Sequence, residues 1–143
     1  IEKNELDLYY QPQIDINNRT ITGAEALIRW NNGDRGYVPP GKFIPIAEKK
    51  GLITPIGEWV LRNSCEDFIN WNENGFSDYT MAINISGVQF NDKKLLPLIK
   101  NIFFDRVDTS RIELEITESA FVGDIDKTIK TIDEIKYAKI RAS

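Results

Sequence analysis

The chain of 143 residues contains no histidine, one cysteine and one methionine. Without histidine there is no ordinary general base near neutral pH, no Ser-His triad and no imidazole-built metal site. A single cysteine, Cys65, excludes a disulfide within the chain and fits a reducing, cytoplasmic compartment. No apolar run approaches the ~18 residues of a membrane span, and no signal-peptide pattern opens the chain. Excess positive charge is also missing. The net charge of −4 argues against a partner such as long nucleic acid. An acidic chain can still handle a small phosphorylated ligand, provided an arginine or a bound metal supplies a local cation.

What is present suits one globular core, with 41% hydrophobic and 28% charged residues. There is no repeat, low-complexity tract or linker. The first residue is Ile1 rather than Met, which reads as an excerpt from a longer protein. "LDLYYQPQIDI" and "TITGAEALIRW" are strand-like runs joined by the polar turn "NNRT". "NNGDRGYVPPGK" reads as a loop, and "FIPIAEKKG" as a short helix ended by Gly51. A longer helix runs from Ile56 towards Gly75, with Trp59, Val60, Cys65, Phe68, Ile69 and Trp71 at near-helical spacing. "YTMAINIS" and "RIELEITES" are strands. "NDKKLLPLIKNIFF" is a helix with an Asn or Asp cap, and Pro97 either sits in its first turns or bends it. "DIDKTIKTIDEIKYA" is a helix with Ile125, Ile129, Ile132 and Ile135 in one stripe. "KIRAS" resembles one further strand. A hairpin followed by helix–strand alternation predicts an α/β fold with parallel strands.

Alternate residues of a strand share a face. Met81, Ile83 and Ile85 therefore oppose Thr80, Ala82, Asn84 and Ser86, while Ile112, Leu114 and Ile116 oppose Glu113, Glu115 and Thr117. Glu25, Leu27 and Arg29 share a face in "GAEALIRWNN". In an open antiparallel sheet such polar faces are simply solvated, and for a generic strand that is the bland expectation. Parallel strands are normally covered on both sides, which argues against it here. A buried unpaired carboxylate is costly, so Glu25 and Glu115 require a counter-charge. With Asn84 they make three hard oxygen donors, a set that favours Mg2+, Mn2+ or Ca2+ over zinc.

Several other features carry plainer readings. Glu48 and Glu58 read as solvated or capping groups, and Glu113 as structural or paired with a basic residue. Trp30, Trp59 and Trp71 read as packing residues, Cys65 as a small buried hydrophobe, and the two Lys-Lys pairs as solvated charge.

The strings "YYQPQIDI", "EALIRW", "FIPIAEKKGLI", "IGEWVL", "NISGVQF" and "ELEITES", in this order, resemble the EAL domain. That family is the phosphodiesterase that linearises the bacterial second messenger cyclic di-GMP to pGpG. The resemblance covers essentially the whole chain, making residues 1–143 the amino-terminal part of a single EAL domain. It implies a partial TIM-like (β/α) barrel with an antiparallel first strand, truncated after about its first half, since a full barrel takes about 250 residues. It further implies that Glu25, Asn84 and Glu115 are metal ligands and that Glu118 holds a neighbouring active-site loop. Leu27 and Arg29 match positions contacting the nucleotide and its phosphate, and Gln11 a position near the substrate. Mg2+ or Mn2+ would be the working ion, with Ca2+ bound but non-productive.

The family's later Asp-Asp-Phe-Gly-Thr-Gly type motif, and a lysine, glutamate and glutamine from later strands, are not in this sequence. The fragment alone is therefore expected to be inactive and, with open strand edges, to self-associate as a dimer, edge to edge or by two halves completing one core. The parent protein is expected to be a phosphodiesterase. The alternative is a degenerate EAL module that binds cyclic di-GMP or a protein partner without catalysis. Fused sensory or GGDEF domains are possible in the parent, which could be membrane-anchored outside this region.

Overall fold

The computed structural model describes residues 3–117, 120 and 125–143. Strands β1 (Leu6–Ile14) and β2 (Ile21–Asn32) form an antiparallel hairpin with Tyr9 opposite Leu27 and Gln11 opposite Glu25. Its turn is held by short polar side chains. Asp15 Oδ1 accepts from the Asn17 N–H at 2.8 Å, and Asn18 Oδ1 from the Thr20 N–H at 3.2 Å. Within the segment read as a loop, a three-residue strand, β3 (Gly36–Val38), folds back on β2 with Val38 opposite Trp30.

Helices α1 (Pro40–Lys49) and α2 (Ile53–Glu73) follow. The chain leaves them through Gly51 and Gly75, whose φ angles of +69° and +93° suit a residue without Cβ. Then come β4 (Thr80–Ile85), the short α3 (Gly87–Phe90), α4 (Leu95–Phe103), β5 (Ile112–Ile116), α5 (Ile125–Tyr137) and β6 (Arg141–Ala142). Strands β2, β4, β5 and β6 are parallel, and the sheet order is β1-β2-β4-β5-β6 with β3 on β2. This is the expected part of a TIM-like barrel, its first strand antiparallel to these four.

The helices cover one face of the sheet. Ala26, Met81, Ile83, Ile85, Ile112 and Leu114 pack against Leu61, Cys65 and Phe68 of α2, Ile99, Ile102 and Phe103 of α4, and Ile135 of α5. Burying each large side chain contributes about 1.5–3 kcal/mol. Tyr10 faces the same side. Its ring meets Trp71 edge-on at 4.7 Å and its hydroxyl donates to Asp67, so burial and the neighbouring carboxylate hold the phenol neutral. Cys65 is fully buried, as expected of a small hydrophobe, and its thiol donates to the Ile102 carbonyl.

Two helical details differ from expectation. The helix containing Pro97 begins only at Leu95, because Asp92 instead accepts from the Lys94 N–H and makes a turn ahead of it. Along α5 and just past its end the inward line runs through Thr128, Ile132, Ile135 and Ala138, leaving Ile129 52% exposed; the side chain of Ile125 lies outside the described residues. Ile135 and Ala138 set the helix rotation, and Ile129 then falls outside it.

Candidate functional site

The other face of the sheet carries the polar side chains. Glu25 lies opposite Gln11 on β1 and Ala82 on β4, and Ala82 lies opposite Glu113 on β5. One step towards the strand ends, Asn84 lies opposite Glu115. Ala82 is nearly fully buried between the flanking side chains, whereas Asn84 is exposed. The parallel register thus brings Glu25, in the middle of β2, close to Asn84 and Glu115, which stand near the carboxyl ends of β4 and β5. Asn84 Nδ2 donates to Glu25 Oε1 at 2.6 Å.

Glu115 is half-buried, and its pKa is raised. Burial is the main cause, followed by the negative charges of Glu25 and Glu113 and a hydrogen bond with Glu25. Negative charge is therefore crowded here. Among the described residues no three His, Cys, Asp or Glu side chains form a metal cluster, so the third oxygen donor of this group is the Asn84 amide. Because the folded pKa of Glu115 is raised, its contribution favours the fold at low pH and is lost as pH rises through that pKa. Glu115→Gln is expected to raise the melting temperature of the protein at neutral pH, because it removes the crowded charge. Scanning calorimetry checks this, and a lower melting temperature would contradict it.

Beside this group, a cleft of about 400 Å³ opens between β2, α1 and α2. Glu25, Leu27, Arg29 and Asn84 line one side, with Ile44, Pro45 and Glu48 of α1 and Ile53, Ile56 and Gly57 of α2 along the other. The mix is a mostly apolar slot with a few polar groups, as small-ligand sites usually are. Arg29 stands 5.5 Å above the Tyr9 ring and donates to the carbonyl of Ile28 at 2.9 Å. These are modest partners for a guanidinium, and a phosphate would outcompete them. Gln11 is exposed on the same face as Glu25.

Glu118 lies outside the described residues. Glu58 pairs on the surface with Arg62 at 2.7 Å, as a solvated group does. Glu113 is half-buried, with Arg141 across from it in register. Glu48 departs from its plain reading: it is half-buried in the cleft wall, and nothing in helical spacing signalled that. Ser86, Gln89 and Thr117 also line the cleft. The spacing Ser86-x-x-Gln89 carries a visible signal, the capping box that starts a helix.

The chain matches the EAL domain family across residues 1–143. It is 36% identical over 136 residues to MucR of Pseudomonas aeruginosa, a bifunctional diguanylate cyclase/cyclic di-GMP phosphodiesterase, covering 94% of this chain and 20% of MucR. It is 38% identical over 144 residues to the signaling protein YkoW of Bacillus subtilis, covering 100% of this chain and 18% of YkoW. Among solved structures, the MucR phosphodiesterase in complex with c-di-GMP aligns with a TM-score of 0.93 at 34% identity, over 99% of this chain and 57% of that one. The EAL enzyme Bd1971 with cAMP and cyclic-di-GMP bound aligns with a TM-score of 0.83 at 30% identity, over 99% and 40%. The chain thus spans a minor part of these curated relatives and little more than half of the solved MucR chain. By family match, identity and fold together, it belongs to the EAL domain family.

Proposed function

We propose that this chain forms part of a cyclic di-GMP phosphodiesterase domain that opens one phosphodiester bond to give linear pGpG. The observation that carries the reading is the convergence of Glu25, Asn84 and Glu115 on one sheet face, beside a cleft that also contains Arg29. The similarity to MucR, whose solved structure is a c-di-GMP complex, supports the choice of ligand. No helix among the described residues is long and apolar enough to cross a membrane.

The donor set fits a divalent cation. Two carboxylates and an amide are hard oxygen ligands, and the raised pKa of Glu115 marks a place where added positive charge is favourable. Mg2+ or Mn2+ held there supplies Lewis-acid polarisation of a phosphoryl oxygen and a lowered pKa for water. The chain's own residues do the binding and orienting. Arg29 leaves Tyr9 and Ile28 to hold a phosphate through paired charge-assisted bonds, fixing the ester relative to the carboxylates. Leu27 and the apolar walls from α1 and α2 pack a base and exclude water from it. Glu48 offers a carboxylate acceptor to ring N–H groups of that base. Glu25 and Arg29 stand about 13 Å apart along the strand, enough to engage different parts of one dinucleotide.

Three donors fall short of the six ligands that Mg2+ takes, so the 143-residue chain by itself is expected to show no useful turnover. Experiments therefore belong to the full-length protein that contains it. Arg29→Ala is expected to weaken cyclic di-GMP binding by about 10–100-fold, from loss of charge-assisted bonds worth ~1.5–3 kcal/mol. Titration calorimetry in Ca2+, which should bind without supporting turnover, reads that constant directly. Unchanged affinity would remove Arg29 from the site. Chromatographic detection of pGpG in Mg2+ or Mn2+ tests the reaction itself. Tight binding with no product in either metal would favour a binding module instead.

A further inference from the structure

Two residues beyond Asn84, β4 turns into the four-residue α3 through a reciprocal cap. Ser86 Oγ accepts from the Gln89 N–H at 3.3 Å, and Gln89 Oε1 accepts from the Ser86 N–H at 3.2 Å. Gln89 is only 6% exposed, an unusual degree of burial for a glutamine. Its carboxamide lies against the backbone of α2 at Gly57. A Cβ built on that glycine would sit 1.7 Å from Gln89 Nε2 and 2.6 Å from Cδ. Glycine inside a helix costs about 1 kcal/mol relative to alanine, so a bare Cα here needs a packing reason, and the close approach of Gln89 is one.

The same turn is tied sideways to β5. The Gly87 N–H donates to Thr117 Oγ1 at 3.1 Å, and the Thr117 N–H donates to the Ile85 carbonyl at 3.2 Å. The ends of the two strands that carry Asn84 and Glu115 are therefore joined through one capped turn, and Gln89 fastens that turn to α2. Asn84 itself is exposed, and among the described residues its side chain bonds to Glu25 alone. Ligand sites tolerate only about 0.5 Å of misplacement, so the direction of Asn84 depends on the backbone beneath it.

We propose that Gln89, seated on Gly57, is a positioning residue that holds Asn84 in place for cation binding. The proposal rests on the reading of Glu25, Asn84 and Glu115 as the cation site. The far end of a glutamine ordinarily swings aside at little cost, but here Oε1 is committed to Ser86. A methyl group at position 57 must therefore break the cap. In a Gln89→Ala background the same methyl fills vacated space. Fold stability should thus couple positions 57 and 89, while cation affinity should follow the cap alone.

The test uses the full-length protein, with Mn2+ binding followed by electron paramagnetic resonance and metal-free thermal unfolding measured in parallel. Gly57→Ala is expected to lower the melting temperature and to weaken Mn2+ binding about tenfold or more, the scale of an outer-shell partner. Adding Gln89→Ala should restore the melting temperature and leave Mn2+ binding weak. Ser86→Ala, which removes the other half of the cap and keeps the packing, should weaken Mn2+ binding similarly, and Ser86→Thr should retain it. Native Mn2+ affinity in Gly57→Ala or Ser86→Ala would overturn the proposal, as would recovery of affinity together with stability in the double variant. Glu25→Gln in the same titration separates the two levels. If it loses Mn2+ while Ser86→Ala does not, only the role of Gln89 falls. If it also keeps Mn2+, the cation site falls with it.

Discussion

Glu25→Ala in the full-length protein is expected to abolish hydrolysis of cyclic di-GMP while leaving the fold intact. Glu25 is the side chain on which the site converges. It accepts a bond from Asn84 at 2.6 Å and contributes to the raised pKa of Glu115. Losing an outer-shell partner typically costs 10–100-fold, so losing a ligand itself should lower kcat/KM by about 10³-fold or more. Stability should barely move. The lost bond to Asn84 is exposed, and its removal is offset by relief of repulsion with Glu115. Steady-state kinetics and metal-free circular dichroism melts together check this. Full metal-dependent turnover in the alanine variant would contradict the assignment of Glu25.

Ile83→Ala, one residue before Asn84, is expected to do the reverse. Ile83 is fully buried on the helix-covered face, in the cluster that includes Cys65, Phe68 and Leu114. Truncating such a side chain removes transfer energy and leaves a cavity, at a cost of about 2–5 kcal/mol. That is a large fraction of the 5–15 kcal/mol of a typical domain, so the denaturant midpoint should fall sharply with little change in slope. At low temperature the molecules still folded should keep their kcat, because Ile83 touches nothing on the polar face. A shift below about 0.5 kcal/mol, the range of ordinary surface substitutions, would contradict the burial. Ile83 and Asn84 thus separate stability from chemistry within a single peptide unit.

That separation was readable from the sequence because a strand alternates its faces. The strings around Met81–Ser86 and Ile112–Thr117 put apolar residues on one side and Asn84, Glu113 and Glu115 on the other, and the pairing preserves that phase. The antiparallel hairpin was legible from its polar turn, and the helix stops at Gly51 and Gly75 from the need for positive φ. Other features were not legible for physical reasons. Strand β3 is three residues long and exists only because β2 offers it an edge, so no periodicity could announce it. Glu48 looks like any solvated carboxylate on a short helix. Its place in the cleft wall depends on how α1 packs across β2 and α2, a tertiary fact. The cap at Ser86 and Gln89 had a recognisable spacing, but α3 is too short to show an apolar stripe. Its importance emerges only when Gly57 is seen beneath it.

The role proposed for the polar sheet face is to hold a divalent cation for phosphodiester chemistry. The most direct measurement is anomalous scattering from crystals of the full-length protein grown with Mn2+ and cyclic di-GMP. The expected result is a manganese peak among the side-chain oxygens of Glu25, Asn84 and Glu115, at about the 2.0–2.5 Å separations of hard-cation ligands. A ligand phosphate should lie beside it against Arg29. Manganese bound elsewhere, or cyclic di-GMP seated in the cleft with no cation on this face at saturating Mn2+, would contradict the account.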